Sequence, residues 1–262
     1  MGSANFALTD DNLEIYFEVK GEGKTIVFVP GYFGIHDIWT SQTNSLSKSY
    51  RTVAYDSRGY GSSAKPLDAA SYSIPRHAED LKAVLDAAGV TEPVVLVAHS
   101  IGGNIASTFA FKYPDRVAGL VYAGCYIDGK QMRDSGMSVD MVANAVATPS
   151  GAIAFYKPFG VTDVVGAEAG KWPAHSLKAN AAAFLNHDMA EQYASIKAPA
   201  LIIQGADDVP NPVEPFATSL QKALQGSRLE ILPGVNHFPS LEAPEKVAAL
   251  IEEHAKRSFG SL

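Results

Sequence analysis

Three residues far apart in the chain, Ser100, Asp208 and His237, have the side-chain types needed for nucleophilic catalysis. A serine hydroxyl is a poor nucleophile at its free pKa. It needs a base within hydrogen-bond reach, and that base needs an orienting carboxylate. Ser100 sits in Val94-Val95-Leu96-Val97-Ala98-His99-Ser100-Ile101-Gly102-Gly103. The apolar run reads as a buried parallel strand. His-Ser-Ile-Gly-Gly then turns sharply into a helical segment from Asn104 to Lys112, which stops before Pro114. A serine at such a corner is held in a strained conformation with its hydroxyl above the sheet, and small neighbours let strand and helix approach. The usual Gly-x-Ser-x-Gly pattern has Ala98 in its first place here, a residue small enough to serve.

Positioning these groups requires a particular set of elements. Phe6–Leu8 and Leu13–Val19 read as a hairpin, the second arm alternating Leu13, Ile15, Phe17 and Val19 on one face. Short buried strands follow at Thr25–Val29, Thr52–Tyr55, Val117–Ala123, Ala200–Gln204 and Arg228–Leu232. Helices are expected over Thr40–Lys48, from Ser73-Ile74-Pro75 to Gly89, from Val213 to Leu224 and over Leu241–Arg257. Strand–helix alternation of this kind makes a mostly parallel sheet covered on both faces. Asp208 and His237 each follow a predicted strand. Loops after the carboxyl ends of parallel strands gather at one edge, so Ser100, Asp208 and His237 can converge there.

The alternation is interrupted between Tyr126 and Ser195 by a helical insert punctuated by Pro149, Pro158 and Pro173. Residues 1–125 and 196–262 are therefore expected to form the core and 126–195 a lid. The insert holds every methionine except Met1, together with Tyr126, Phe155, Tyr156, Phe159, Trp172, Phe184 and Tyr193. Many of these must be the inward faces of its helices. As a lid, they would roof a pocket for an apolar ligand.

The 262 residues carry a net charge of −7. Nothing in that composition offers a basic surface for nucleic acid. One cysteine, Cys125, excludes a disulfide framework and favours a reducing, cytoplasmic setting. Residues 1–10 lack a signal-peptide pattern, and no apolar run is long enough to span a membrane. Metal-ligand spacing is absent, so neither a metal nor a cofactor is expected. The expected partner is a small-molecule substrate, with the chain a monomer or homodimer.

The chain resembles the α/β-hydrolases, from its first strands to Phe259. The resemblance is carried by Pro30-Gly31-Tyr32, Asp56-Ser57-Arg58-Gly59-Tyr60-Gly61-Ser62-Ser63, His99-Ser100-Ile101-Gly102-Gly103, Gly205-Ala206-Asp207-Asp208 and Gly234-Val235-Asn236-His237-Phe238. It implies an eight-stranded, mostly parallel sheet flanked by helices, and is nearest to the small esterase, lactonase and cofactor-free haloperoxidase-like group. It assigns Ser100 as nucleophile, His237 as general base and acid, and Asp208, fourth in Gly-Ala-Asp-Asp, as the orienting acid. Asp128 is a further candidate, since some relatives move the acid to the end of the strand after the elbow helix. Otherwise Asp128 and Asp207 read as solvated surface residues. The backbone N–H groups of Tyr32 and Ile101 would form the oxyanion hole. Most relatives have His-Gly where this chain has Pro30-Gly31, which leaves open what braces that loop.

Phe33, Tyr126, Met132, Phe155, Trp172 and Phe238 are expected to contact substrate. His99 reads as a brace for the turn, Cys125 as a small buried strand end, and His36, His77 and His254 as surface histidines. Asp56 and Arg58 match the family's structural turn. A serine nucleophile argues against haloalkane dehalogenases and epoxide hydrolases, which use aspartate at position 100. The expected reaction is hydrolysis of a small, apolar or ring-containing ester or lactone through an acyl-enzyme. Perhydrolysis, C–C hydrolysis, cofactor-free oxygenation and a slow-turnover receptor are the alternatives.

Overall fold

The computed structural model describes residues 5–260. Met1 to Ala4, which fall within the stretch inspected for a signal peptide, lie outside the described residues. Eight strands form one sheet: β1 (Asn5–Leu8), β2 (Glu14–Lys20), β3 (Thr25–Val29), β4 (Arg51–Tyr55), β5 (Val94–His99), β6 (Val117–Ala123), β7 (Ala200–Gly205) and β8 (Arg228–Leu232). Their spatial order is β1-β2-β4-β3-β5-β6-β7-β8. β1, β2 and β4 pair antiparallel, and every pairing from β4 through β3 to β8 is parallel. Each strand expected from hydrophobic patterning is present.

The helices are α1 (Thr40–Leu46), α2 (Ile74–Ala87), α3 (Gly102–Lys112), α4 (Gly129–Asp134), α5 (Val139–Ala145), α6 (Pro149–Tyr156), α7 (Asp163–Ala169), α8 (Ala174–Leu185), α9 (Thr218–Ala223), α10 (Pro239–Glu242) and α11 (Pro244–Gly260). Successive strand residues point to opposite faces. In β5, Val94, Leu96 and Ala98 pack with α2 and α3, while Val95 and Val97 pack with α1 and α11. The central strand is therefore apolar on every side chain up to His99. The insert leaves the sheet after β6 and supplies α4 to α8.

Two expected helices are interrupted. The segment expected to run from Val213 to Leu224 is broken at Glu214 (φ −103°, ψ 126°), and the regular helix α9 begins only at Thr218. Pro212 and Pro215 deprive this first turn of donors. The closing helix is divided at Ala243 (φ −137°, ψ 56°), because the ring of Pro244 disfavours helical backbone in the preceding residue.

Three histidines expected on the surface are held by partners. His36 Nδ1 lies 2.7 Å from Asp56 Oδ1 and its other nitrogen 3.4 Å from Glu18. His77 is buried in α2, and its Nε2–H donates to Asn180 of α8 at 2.8 Å. His254, also buried, lies 3.2 Å from the Pro199 carbonyl. Their burial comes from elements distant in sequence, which a local helical pattern does not reveal.

Arg58 ties the loop after β4 to α2. Its Nε–H donates to Asp80 Oδ2 at 2.7 Å, and a second arm of the guanidinium reaches Asp11 Oδ2 at 2.9 Å. Both Arg58 and Asp80 are fully buried. Burial raises the Asp80 carboxyl to about 6, with Arg58 opposing that rise, so the pair stays ionised at neutral pH. Asp80→Asn keeps the volume but leaves the buried guanidinium only the partly exposed Asp11 as a counter-charge. We expect a loss of about 3 kcal/mol or more in urea unfolding.

Burial and the Arg58 charge hold His77 down at about 3. It is neutral when folded, whereas the unfolded chain binds that proton below about 6.5. Its contribution to stability is therefore complete above about 6.5 and is lost as pH falls toward 3. Unfolding free energy of the wild type should drop between pH 7.5 and 4.5, and His77→Gln should flatten that slope by about one proton.

Candidate active site

The elbow at Ser100 is built by close packing. Ser100 adopts φ +51°, the left-handed region that L residues with a Cβ rarely occupy. Its N–H donates to the Ala123 carbonyl at 3.0 Å, and Gly103 N–H donates back to the Ser100 carbonyl at 2.9 Å. A Cβ on Gly31 would stand 2.8 Å from the His99 carbonyl, and one on Gly102 would stand 2.7 Å from the Val29 carbonyl. Glycine at both positions lets the β3 loop and the start of α3 close around the serine.

The side chains predicted to act together meet above the sheet. Ser100 Oγ lies 3.3 Å from His237 Nε2, and His237 Nδ1 lies 3.0 Å from Asp208 Oδ2. Nδ1–H donates to the carboxylate, which leaves the Nε2 lone pair facing the hydroxyl. Asp208 is 3 % exposed. Its oxygens also accept from Gln204 Nε2–H at 2.8 Å and from Asn211 N–H at 2.8 Å. Asp207 is exposed. Asp128 is buried, contrary to the solvated position expected for it. It caps α4 by accepting from Gln131 N–H at 3.1 Å, and accepts from Met189 and Ala190 N–H at 3.3 and 3.2 Å. Its carboxylate is committed to backbone donors between α4 and the end of the insert, away from His237.

His99 braces the turn as expected. Its Nε2–H donates to the His237 carbonyl at 2.8 Å. Burial, followed by the neighbouring His237, holds its pKa down at about 3, so it stays neutral beside that imidazole. Cys125 is fully buried behind the elbow, and burial pushes its thiol far above the usual range. It has no thiolate to offer.

The Pro30-Gly31 loop is braced by Tyr32, whose hydroxyl donates to the Leu177 carbonyl of α8 at 2.9 Å. The Tyr32 ring meets Tyr60 and Phe184 edge-on at 6.2 and 5.5 Å. Neither Tyr32 N–H nor Ile101 N–H donates to an acceptor among the described residues. Both are therefore free to donate to a ligand oxygen.

Ser100 opens into a cavity of about 500 Å³, counting all empty space within its walls and mouth. Five of the six expected contact residues, Phe33, Tyr126, Met132, Phe155 and Phe238, line it. Trp172 does not. It is half-buried at the margin of the core that holds Tyr156, Val161 and Ala169, with Lys65 Nζ 5.8 Å from its ring centroid. An aromatic residue of the insert can serve its packing rather than the cavity, and sequence position does not distinguish the two.

The walls also include Met137, Tyr156 and Phe159 from the insert's methionine and aromatic set, and Asn211, which was not expected among them. Two further residues hold the loop of His237. The Glu242 carboxylate accepts from Asn236 N–H at 2.9 Å and from Phe238 N–H at 3.0 Å, clamping both sides of His237. The Asn236 side chain accepts from Val209 N–H at 3.1 Å and donates to the Pro158 carbonyl of the insert at 2.8 Å. Gln204 carried a legible signal, a polar residue ending the apolar run Ala200–Ile203. Asn236 and Glu242 carried none beyond their nearness to His237. No group of metal-ligating side chains suited to hold an ion occurs among the described residues, and no described helix is long and apolar enough to cross a membrane.

Comparison with known proteins agrees with this architecture. A putative carbamate hydrolase, RutD, of Cronobacter turicensis is 27% identical over 246 residues, covering 86% of this chain and 88% of the relative. A putative non-heme chloroperoxidase of Synechocystis is 29% identical over 261 residues, covering 91% and 94%. Among solved structures, that of Est816, an N-acyl homoserine lactone degrading enzyme, superposes with a TM-score of 0.81 at 27% identity, covering 94% of this chain and 99% of that one. The family profile for the alpha/beta hydrolase fold matches residues 24–244. The chain is a member of the alpha/beta hydrolase fold family.

Proposed function

We propose that this protein is a serine hydrolase that cleaves a carboxylic ester or lactone of a small, apolar or ring-containing substrate. The observation that carries this reading is the hydrogen-bonded line from Asp208 through His237 to a strained Ser100 opening into a cavity. Ser100 Oγ attacks the carbonyl carbon as its proton passes to His237 Nε2. Asp208 holds the imidazole in the required tautomer and opposes the charge that forms on it. The tetrahedral oxyanion is received by Tyr32 and Ile101 N–H, each such donor being worth about 10²–10³ in rate. His237 returns the proton to the leaving oxygen as the C–O bond breaks. Water activated by His237 then releases the acid and restores Ser100.

The cavity walls support an apolar substrate, because most of the surface they expose to it is apolar. Similarity to an enzyme that degrades a lactone supports ester or lactone chemistry. Similarity to a chloroperoxidase favours one second reading, in which hydrogen peroxide replaces water in attacking the acyl-enzyme to give a peracid. The core at 1–125 and 196–262, the lid role of 126–195 and a cytoplasmic location belong to the same proposal. So do a small-molecule partner and a monomeric or homodimeric state.

A brief incubation with a fluorophosphonate should give one adduct, on Ser100, by intact mass and peptide mapping. Ser100→Ala should lose the adduct and about 10⁶ in kcat toward short-chain esters, with its unfolding midpoint nearly unchanged. Near-wild-type turnover by that variant would refute the serine mechanism. Asp208→Asn should cost about 10³–10⁴ in kcat by leaving His237 in the wrong tautomer. Asp128→Asn should lower stability by about 1–2 kcal/mol and leave kcat close to wild type. The reverse pattern would make Asp128 the orienting acid.

A further inference from the structure

The rings around Ser100 are distributed unevenly. One wall is a continuous aromatic network that includes the base itself. Phe159 meets the His237 ring edge-on at 6.3 Å, and Phe238 meets it at 5.4 Å. Tyr156 lies 5.8 Å from Phe238, and Phe155 lies 5.1 Å from Phe159. Phe33 closes the network, 5.3 Å from Tyr156 and 6.0 Å from Phe238. These rings pack with the α1 and α11 face of the sheet. Met132, Met137 and Val142 of the cavity pack instead with the α2 and α3 face, where two lining rings, Tyr126 and Phe184, accompany them.

Chemistry fixes which half of an ester must face the aromatic side. In the serine-hydrolase reading, on which this inference rests, His237 Nε2 delivers its proton to the leaving oxygen. The alcohol half must therefore extend past His237, and the acyl half must lie away from it. We propose that the network of Phe159, Tyr156, Phe238 and Phe33 is a subsite for an arylmethyl or aryl alcohol moiety, and that the methionine wall receives a short, flexible acyl chain. The bond that forms is Ser100 Oγ to the acyl carbon. The bond that breaks joins that carbon to the alcohol oxygen, which leaves with the proton from Nε2. A ring on the alcohol gains edge-to-face contacts with the network, whereas the thioethers opposite adapt to chains of varied shape.

The wall is also fixed to the base. Asn236, adjacent to His237, donates to the Pro158 carbonyl, and Pro158 precedes Phe159. The aromatic surface and the proton donor thus keep a constant relation, as a leaving-group subsite requires.

Benzyl acetate and methyl phenylacetate are regioisomers with similar intrinsic reactivity, differing in which half carries the ring. The proposal expects kcat/KM for benzyl acetate to exceed that for methyl phenylacetate by about tenfold or more, the worth of one or two ring contacts. Phe159→Ala should remove most of that preference, and Phe159→Leu, which keeps more of the apolar volume, should remove part of it. Both variants should still label with a fluorophosphonate at Ser100, showing an intact nucleophile. Preference for methyl phenylacetate would overturn the subsite. So would an equal loss on both esters in the Phe159 variants, or failure to turn over either ester while Ser100 labels normally. Absence of labelling in the folded wild type would instead overturn the serine-hydrolase reading beneath it.

Discussion

A serine turned to φ +51° between a buried strand and a helix is the constraint on which the rest of this molecule depends. Such a backbone costs on the order of 1–2 kcal/mol and persists only where its surroundings over-determine it. Here they do. The Ser100 backbone is bonded to Ala123 and Gly103, and the neighbouring loop approaches so closely that Gly31 has no room for a side chain. Strands β3, β5 and β6 must lie side by side for these contacts to exist, and their continuous apolar sequences keep them there.

Around that corner the molecule arranges charge by burial. His77 and His99 are kept neutral, and each uses its single N–H for one fixed acceptor. Arg58 is kept charged by Asp80 and Asp11. Asp208 and Asp128 are both buried and differ in their partners. Asp208 accepts from a side-chain amide, one backbone N–H and an imidazole, whereas Asp128 is committed to backbone donors alone. That difference in donors, more than distance along the chain, separates a group that can orient a base from a helix cap.

Much of this was legible in the sequence because it is written locally. Hydrophobic runs marked every strand, and Ser73 with Pro75 marked the start of α2, where Ser73 accepts from Arg76 N–H. Ser100, Asp208 and His237 were each placed by the strand preceding them. What the sequence concealed depends on packing between distant segments. His77 gave no local sign that α8 would cover it, and Trp172 looked like any other aromatic of the insert. Asp128 follows a strand just as Asp208 does, and only the return of the chain at Met189 and Ala190 shows what occupies it. Ala243 was different, since the proline after it was visible and its influence on the preceding residue is local.

One carboxamide joins three bodies of this structure. Asn236 accepts from the loop that carries Asp208, donates to the insert at Pro158 and precedes His237 in the chain. In mechanical terms, the insert at Pro158 and the loops of Asp208 and His237 share a fastening. Displacing the chain at Pro158 would have to break that bond or carry the loop of His237 with it. With His237 as the base, any displacement of the insert on that side and the alignment of the imidazole with Ser100 would be coupled through this one carboxamide.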